Sequence, residues 1–224
     1  MKKIISFIIA LFPWVIKRRL YSWIFKYELD PASFIGFSWI FVDHLSLDKG
    51  ARVGNLTVIK GLYNLQLEKD SIIGNLNWIS SFPRNTNSLH FQHEAGERTP
   101  ELVLREHAAI TNRHLIDCTN RIEIKKFSTL AGFKSTVLTH SIDLKECRQS
   151  SKPIIIGEYC FIGTGCILLG GTLIPDYSVL AAGSTISKAM DISCSLYGGT
   201  PAKFIKSLEN EDLKYFKRTV GFVI

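Results

Sequence analysis

An aliphatic residue returns at every sixth position through the stretch 156–186, at Ile156, Ile162, Leu168, Ile174, Leu180 and Ile186. The fifth place of each unit is small: Cys160, Cys166, Thr172, Ser178 and Ser184. Such spacing matches neither the helical period of about 3.6 nor the strand alternation of about 2. It predicts a prism-shaped coil in which three six-residue sides make a turn of ~18 residues, with short parallel strands stacked turn upon turn. The aliphatic side chain points inward, and the small one fits near each tight corner.

The period runs through most of the chain. Ile35, Phe41, Leu47, Val53, Ile59 and Leu65 fall on it, and after a two-residue slip so do Leu67, Ile73 and Ile79. It resumes at Leu104, Ile110, Ile116 and Ile122, slips by two again, and continues with Ile124 and Leu130. These units predict about seven turns and a column ~30 Å tall, filled by aliphatic side chains. Two polar segments break it, 80–103 and 141–153. The first carries His90 and His93 and reads as an arm over a cleft or onto a neighbouring subunit. Gly198-Gly199-Thr200-Pro201 ends the column. Beyond it Phe204, Leu208, Leu213 and Phe216 lie near helical spacing, so a C-terminal capping helix is expected over 201–224. The organisation is then an N-terminal segment 1–34, a coil 35–200 and a cap 201–224.

Composition narrows the partners. A formal charge of +7 with a pI near 9.2 suggests anionic ones. No zinc-finger spacing or nucleic-acid module appears, which sets nucleic acid aside, whereas a phosphorylated cofactor or an acidic membrane surface would use the same charge. The 5 cysteines are odd in number and form no CxxC pair, which favours reduced thiols and a cytoplasmic setting. At the N-terminus Lys2-Lys3 precede an apolar run over 4–16, broken by Pro13, and Lys17-Arg18-Arg19 come directly after it. That run is shorter than the ~20 residues that cross a bilayer, and it ends without a cleavage site. With Trp14 and Trp23 it suits a peripheral position in the headgroup zone, on the inner face of the cytoplasmic membrane. Packing on the coil or on a neighbouring subunit is the alternative.

A wall of hexads is a scaffold, so chemistry is expected where the wall is interrupted. Thr139-His140-Ser141-Ile142-Asp143 ends a coil and opens a polar excursion, and Ile154-Ile155-Ile156-Gly157 resumes the coil. With the hexads, this layout resembles the hexapeptide-repeat acyltransferases, above all the galactoside and maltose O-acetyltransferases and acetyltransferases of bacterial surface-polysaccharide gene clusters. The resemblance implies an all-β fold, a left-handed parallel β-helix of hexapeptide repeats, assembled as a homotrimer, with acetyl-CoA as co-substrate and no metal. It implies O-acetylation of a sugar in a surface polysaccharide or its lipid-linked precursor.

On that resemblance His140 is the general base, an imidazole able to take a proton from a sugar hydroxyl near neutral pH. Asp143 would orient the ring or bind acceptor hydroxyls. Asn112 would position acceptor and base from the preceding coil, where Arg113, His114 and Asp117 would contact the acceptor. Coenzyme A would run past Thr164, Ala182, Ser187, Lys188, Lys203 and Lys206. Lysines at 203 and 206 replace the family's arginines, so phosphates would meet point charges in place of bidentate forks. The competing readings are an N-acyltransferase on an amino-sugar nucleotide, a metal enzyme like the β-helical carbonic anhydrases, and a silent scaffold. His107, His114 and His140 lack the H-x4-H spacing of the metal enzymes.

Overall fold

The computed structural model of the chain describes residues 1–84, 89–94, 96–221 and 223. Residues 85–88 and 95 of the expected arm, and 222 and 224 of the expected C-terminal helix, lie outside them. Three sheets form the faces of one column. Face A begins with Glu28–Leu29 and ends with Leu173–Ile174, face B begins with Phe34–Ile35, and face C runs from Trp39–Phe41 to Thr185–Ile186. Faces A and C are each 7-stranded, so the column has the seven coils that the hexads require. The coil strands within a face are parallel and in direct register, Ile116 lying between Ile79 and Val137.

The hexad residues from Ile59 to Ile186 are at most 2% exposed. Truncating any one to alanine would cost about 2–5 kcal/mol, because the rigid coils above and below cannot collapse into the gap. The two slips also have a structural content. Several face A strands turn two side chains inward in place of one: Leu45 and Leu47, Leu65 and Leu67, Leu102 and Leu104, Ile122 and Ile124, Ile154 and Ile156. This is ordinary strand alternation inside a longer strand. In the first coil the hexad at Phe41 is displaced for a separate reason. The corners on either side of face C are one residue shorter there, and Ile40, fully buried, takes the interior place while Phe41 faces outward.

Many of the bends carry a residue in the left-handed region. Asp70, His107, Phe127, Tyr159, Tyr177 and Cys194 form one such column of corners, with φ between 48° and 58°. Each costs an L-residue roughly 1–2 kcal/mol. Along this edge stacking offsets the cost: His107 on Phe127 at 4.9 Å, Phe127 on Tyr159 at 4.7 Å, and Tyr159 on Tyr177 at 5.2 Å. The small fifth-place residues are buried beside the bends, and their hydroxyls serve carbonyls there, as Ser184 Oγ does for Ala181 O at 2.6 Å.

The C-terminal segment departs from the helical expectation. Ala202–Ser207 is a strand, antiparallel to Ser195–Gly199, and beyond it the chain makes a single 3-10 turn at Lys214–Lys217. The last coil of face B presents an edge of unpaired backbone groups, and satisfying it outweighs the weak helical spacing of Phe204 and Leu208. The tail then folds back along the stacked rings, with the Arg218 guanidinium 3.7 Å from the Tyr215 ring centre and Phe216 edge-on to Tyr177.

At the other end, helix α1 (Lys2–Ala10) and helix α2 (Trp14–Leu20) close the column. The first coil has no coil beneath it to occupy its carbonyls, and side chains of the cap do so. Ser6 Oγ donates to Ile40 O at 2.6 Å, Lys17 Nζ to Gly36 O at 2.6 Å, and Tyr27 OH to Val42 O at 2.7 Å. Burial pulls the Lys17 ammonium down to about 8. The unfolded chain therefore binds more protons than the folded one between that pH and the ordinary lysine value of 10.5, so this group favours folding progressively as pH rises through the interval. Urea melts of wild type and Lys17→Met should show the wild type gaining about 1–3 kcal/mol relative to the variant between pH 7 and pH 10. A difference independent of pH would mean that Lys17 is not held in a dry site.

Candidate active site

Face C delivers two consecutive strands, Leu115–Asp117 and Thr136–Leu138, with Asp117 in register beneath Leu138. The chain leaves the column at the next turn. Residues 141–153 form a β-hairpin in place of an irregular loop: His140–Asp143 pairs antiparallel with Arg148–Ser151, and His140 stands opposite Ser151. Gly170, one coil further on, permits the close approach, since a Cβ there would meet Thr139 O at 2.7 Å. His140 thus sits two residues beyond the end of a rigid ladder, and Asp117 is inside it.

The two side chains meet. His140 Nδ1 lies 2.8 Å from Asp117 Oδ2, and the carboxylate also accepts from Thr119 Oγ1 at 2.7 Å and Thr139 Oγ1 at 2.8 Å. Burial pushes the Asp117 carboxyl up, but the hydrogen bonds from His140, Thr119 and Thr139 outweigh it, and its pKa lies below the ordinary carboxylate value. An ionised carboxylate can only accept, so Nδ1 carries the proton and Nε2 keeps its lone pair. The bond to Asp117 raises the His140 pKa, against the opposing effect of burial. His140 lines a cleft of about 480 Å³ shared with Asp143, Ser151, Lys152, Gly170 and Ser187.

The described residues of the arm between Ser80 and Glu101 lie against this corner. Phe82 and Phe91 approach the imidazole edge-on, at 5.9 and 6.4 Å between ring centres. Two polar ties hold the arm there. Glu94 accepts from Ser151 N at 2.9 Å and from Ser151 Oγ at 2.5 Å, joining it to the hairpin. The buried Arg98 guanidinium donates to Phe82 O, Pro83 O and Thr119 O at 2.8–3.0 Å, joining it to the coil beside Asp117. Burial lowers the Arg98 pKa, while Glu94 and Asp117 work to keep it charged.

The other expected site residues divide. Asp117, expected as an acceptor contact, is the residue that orients the ring. Asp143, expected in that role, instead accepts from Lys145 N and Glu146 N and holds the hairpin turn. Asn112 does not face His140: its Oδ1 accepts from Asn75 N at 2.7 Å, as Asn75 Oδ1 does from Asn55 N, in a ladder along the corner between faces B and C. Arg113 is the left-handed residue of that same corner. His114 is buried, with Nδ1 accepting from Ser135 N at 3.1 Å and Nε2 3.0 Å from Thr111 Oγ1, and burial pulls its pKa down to about 4. It staples two coils. Thr164 donates to Phe133 O on that corner too, and Ala182 stacks against Gly163.

Of the expected cofactor contacts, Ser187 shares the cleft with His140. Lys188 and Lys203 are exposed, and Lys206 is bridged to Glu211 at 2.6 Å. Among the described residues no group of three or more His, Cys, Asp or Glu side chains is arranged around a common point that could hold a metal. Sequence reasoning missed Phe82, Phe91, Glu94, Arg98, Thr119 and Lys152. Two phenylalanines within an otherwise polar insertion were the available signal.

No sequence-family profile matches the chain. It is 31% identical over 96 residues to gamma carbonic anhydrase 2, mitochondrial, of Arabidopsis thaliana, covering 42% of this chain and 32% of that protein. It is 37% identical over 76 residues to a Schizosaccharomyces pombe protein inferred to be an acetyltransferase, covering 33% of this chain and 36% of that one. The chain therefore spans about a third of the length of these curated relatives. Among solved structures, the polysialic acid O-acetyltransferase OatWY superposes with a TM-score of 0.53 over 81% of this chain and 84% of its own, at 15% identity. Likeness to the carbonic anhydrase does not extend to a converging histidine set: His107 stacks on Phe127, His114 staples two coils, and His140 pairs with Asp117.

Substituting Asp117→Asn should lower the His140 pKa by about 1 unit or more, since the charged partner is lost. Titration of the imidazole Cε1–H signal by NMR reads this directly, and an unchanged value would show that the ring is not held by Asp117. Arg98→Gln should free the arm, with cleavage by added protease between Ser81 and Pro100 rising about tenfold or more.

Proposed function

We propose that this chain, which has the hexapeptide-repeat β-helix fold of the polysialic acid O-acetyltransferase it superposes on, is an acyl-CoA-dependent O-acetyltransferase acting on a sugar hydroxyl of a bacterial surface polysaccharide or its precursor. One observation carries the reading: an oriented Asp117–His140 pair with Nε2 free to act as a base at the mouth of a cleft. In this scheme the acceptor hydroxyl gives its proton to Nε2 as its oxygen forms a bond to the thioester carbonyl carbon. The C–S bond then breaks, and the departing sulfur recovers the proton from His140. With both substrates held together no covalent enzyme intermediate is needed.

The donor side is compatible with this chemistry. Ser187, in the cleft, adjoins the exposed Lys188, and Ala181-Ala182-Gly183 keep the nearby bend free of bulky side chains. Lys188 and Lys203 would meet the donor's phosphates as point charges, with Lys206 contributing less because Glu211 already faces it. A homotrimer would place three such clefts between flat walls, and closed cyclic symmetry would make them equivalent. Acceptors built on lipid carriers at the cytoplasmic face of the membrane fit this scheme.

The test is release of free thiol from acetyl-CoA with a panel of hydroxyl and amino sugars. Hydroxyl acceptors should be turned over, and His140→Ala should lower kcat by about 10²–10⁴-fold with the assembly intact. Because the base works unprotonated, the acid limb of the pH profile should follow the His140 titration. Turnover of amines alone would replace this reading by N-acylation. Failure of acetyl-CoA both to turn over and to raise the Tm would end it.

A further inference from the structure

We infer that the outer face of the N-terminal cap docks the protein on an anionic lipid surface, with the column standing on its first coil. The two helices use one face to close the coil, through Ser6, Ile9, Ala10 and Lys17, all at most 5% exposed. The opposite face has no covering among the described residues. Ile4, Ile8, Leu11 and Val15 are 67%, 51%, 64% and 61% exposed, and Phe7 is 54% exposed. Trp23, in the next turn, is 72% exposed. Water is a poor neighbour for so large an apolar area.

Charge identifies the occupant. Before Glu28 the chain has no acidic residue, whereas Lys2, Lys3, Arg19 and Lys26 are exposed on this segment. A mixed apolar and purely cationic surface is complementary to acidic headgroups over acyl chains, and a second copy of the same face would bring like charges together. No helix among the described residues is long and apolar enough to cross a membrane, so the contact is peripheral.

The geometry adds a consequence that rests on the proposed activity. His140 comes after the fifth strand of face C, Thr136–Leu138. Four coil spacings and one helix diameter place it roughly 30 Å above the surface. The site would then act on sugars extended from a lipid anchor, not on the headgroup that the cap touches.

Vesicle co-sedimentation tests the docking without reference to catalysis, so its failure is distinct from failure of the enzymatic reading. Full-length protein should pellet with phosphatidylcholine vesicles containing about 30% phosphatidylglycerol and much less with phosphatidylcholine alone. Ile8→Glu with Leu11→Glu should weaken binding by about tenfold or more, and so should Lys2→Gln, Lys3→Gln and Arg19→Gln together, with melting temperatures unchanged because these side chains are exposed. The inference is overturned if the protein stays in the supernatant with both vesicles, or if neither variant changes pelleting. It is also overturned if sedimentation equilibrium shows an assembly that Ile8→Glu with Leu11→Glu dissolves, since a second copy would then cover the face.

Discussion

Every coil of this column is held by the backbone of its neighbours, and that mutual dependence governs the rest of the structure. Inside the stack, each carbonyl and amide finds a partner one turn away, and the sequence need only supply an inward aliphatic and a tolerable bend. The ends cannot be made that way. At the first coil Ser6, Lys17 and Tyr27 lend side-chain donors to carbonyls at 36, 40 and 42. At the last, an antiparallel strand supplies the missing ladder. Burying a lysine amine against a carbonyl is an expensive way to close an end. It is used where no further backbone is available.

Rigidity of the stack is also what makes a site possible. Asp117 is fixed by strands on both sides, so its carboxylate is set before anything binds. His140 sits where the chain departs, and its ring has freedom that must be removed by other means. The hairpin, the arm and the carboxylate remove it together. Glu94 binds the residue opposite His140, and Arg98 binds the residue that donates to Asp117. The two insertions into the hexads therefore form one structure around one imidazole, which accounts for their occurrence in a chain otherwise so regular.

The coil was legible because its period is written in each turn: Ile116 or Leu168 needs no distant information to be placed inward. The departures arise from contacts the period does not encode. Phe41 gave way to Ile40 because the bends on either side of face C are one residue shorter in the first coil, and the terminal helix gave way to a strand because a sheet edge was waiting for it. At the site, the break in register drew attention to His140, and its expected role came from the resemblance. Its partner could not be separated from other polar groups of the preceding coil. Asn112, Arg113 and His114 lie within five residues of Asp117, yet one corner away, and only the number of residues per face decides which of them meets the ring. Arg98 was invisible because its partners are carbonyls, which every sequence has.

Two opposed effects set the character of the imidazole. Phe82, Phe91 and partial burial disfavour the charged ring, whereas the Asp117 carboxylate favours it, and the carboxylate prevails. A raised pKa makes Nε2 a stronger base but leaves more of it protonated, and so idle, near neutral pH. The balance shifts once an acceptor fills the cleft. Displacing water from around the ring would deepen the burial that opposes charge, while two hydroxyls, those of Thr119 and Thr139, hold the Asp117 carboxylate in place. On the proposed function, filling the cleft would therefore work against the proton on Nε2, and the same carboxylate would steady the imidazolium formed as the hydroxyl is deprotonated. On the proposed function, a base held by a fixed anion and enclosed by aromatic edges would be made ready by the arrival of its own substrate.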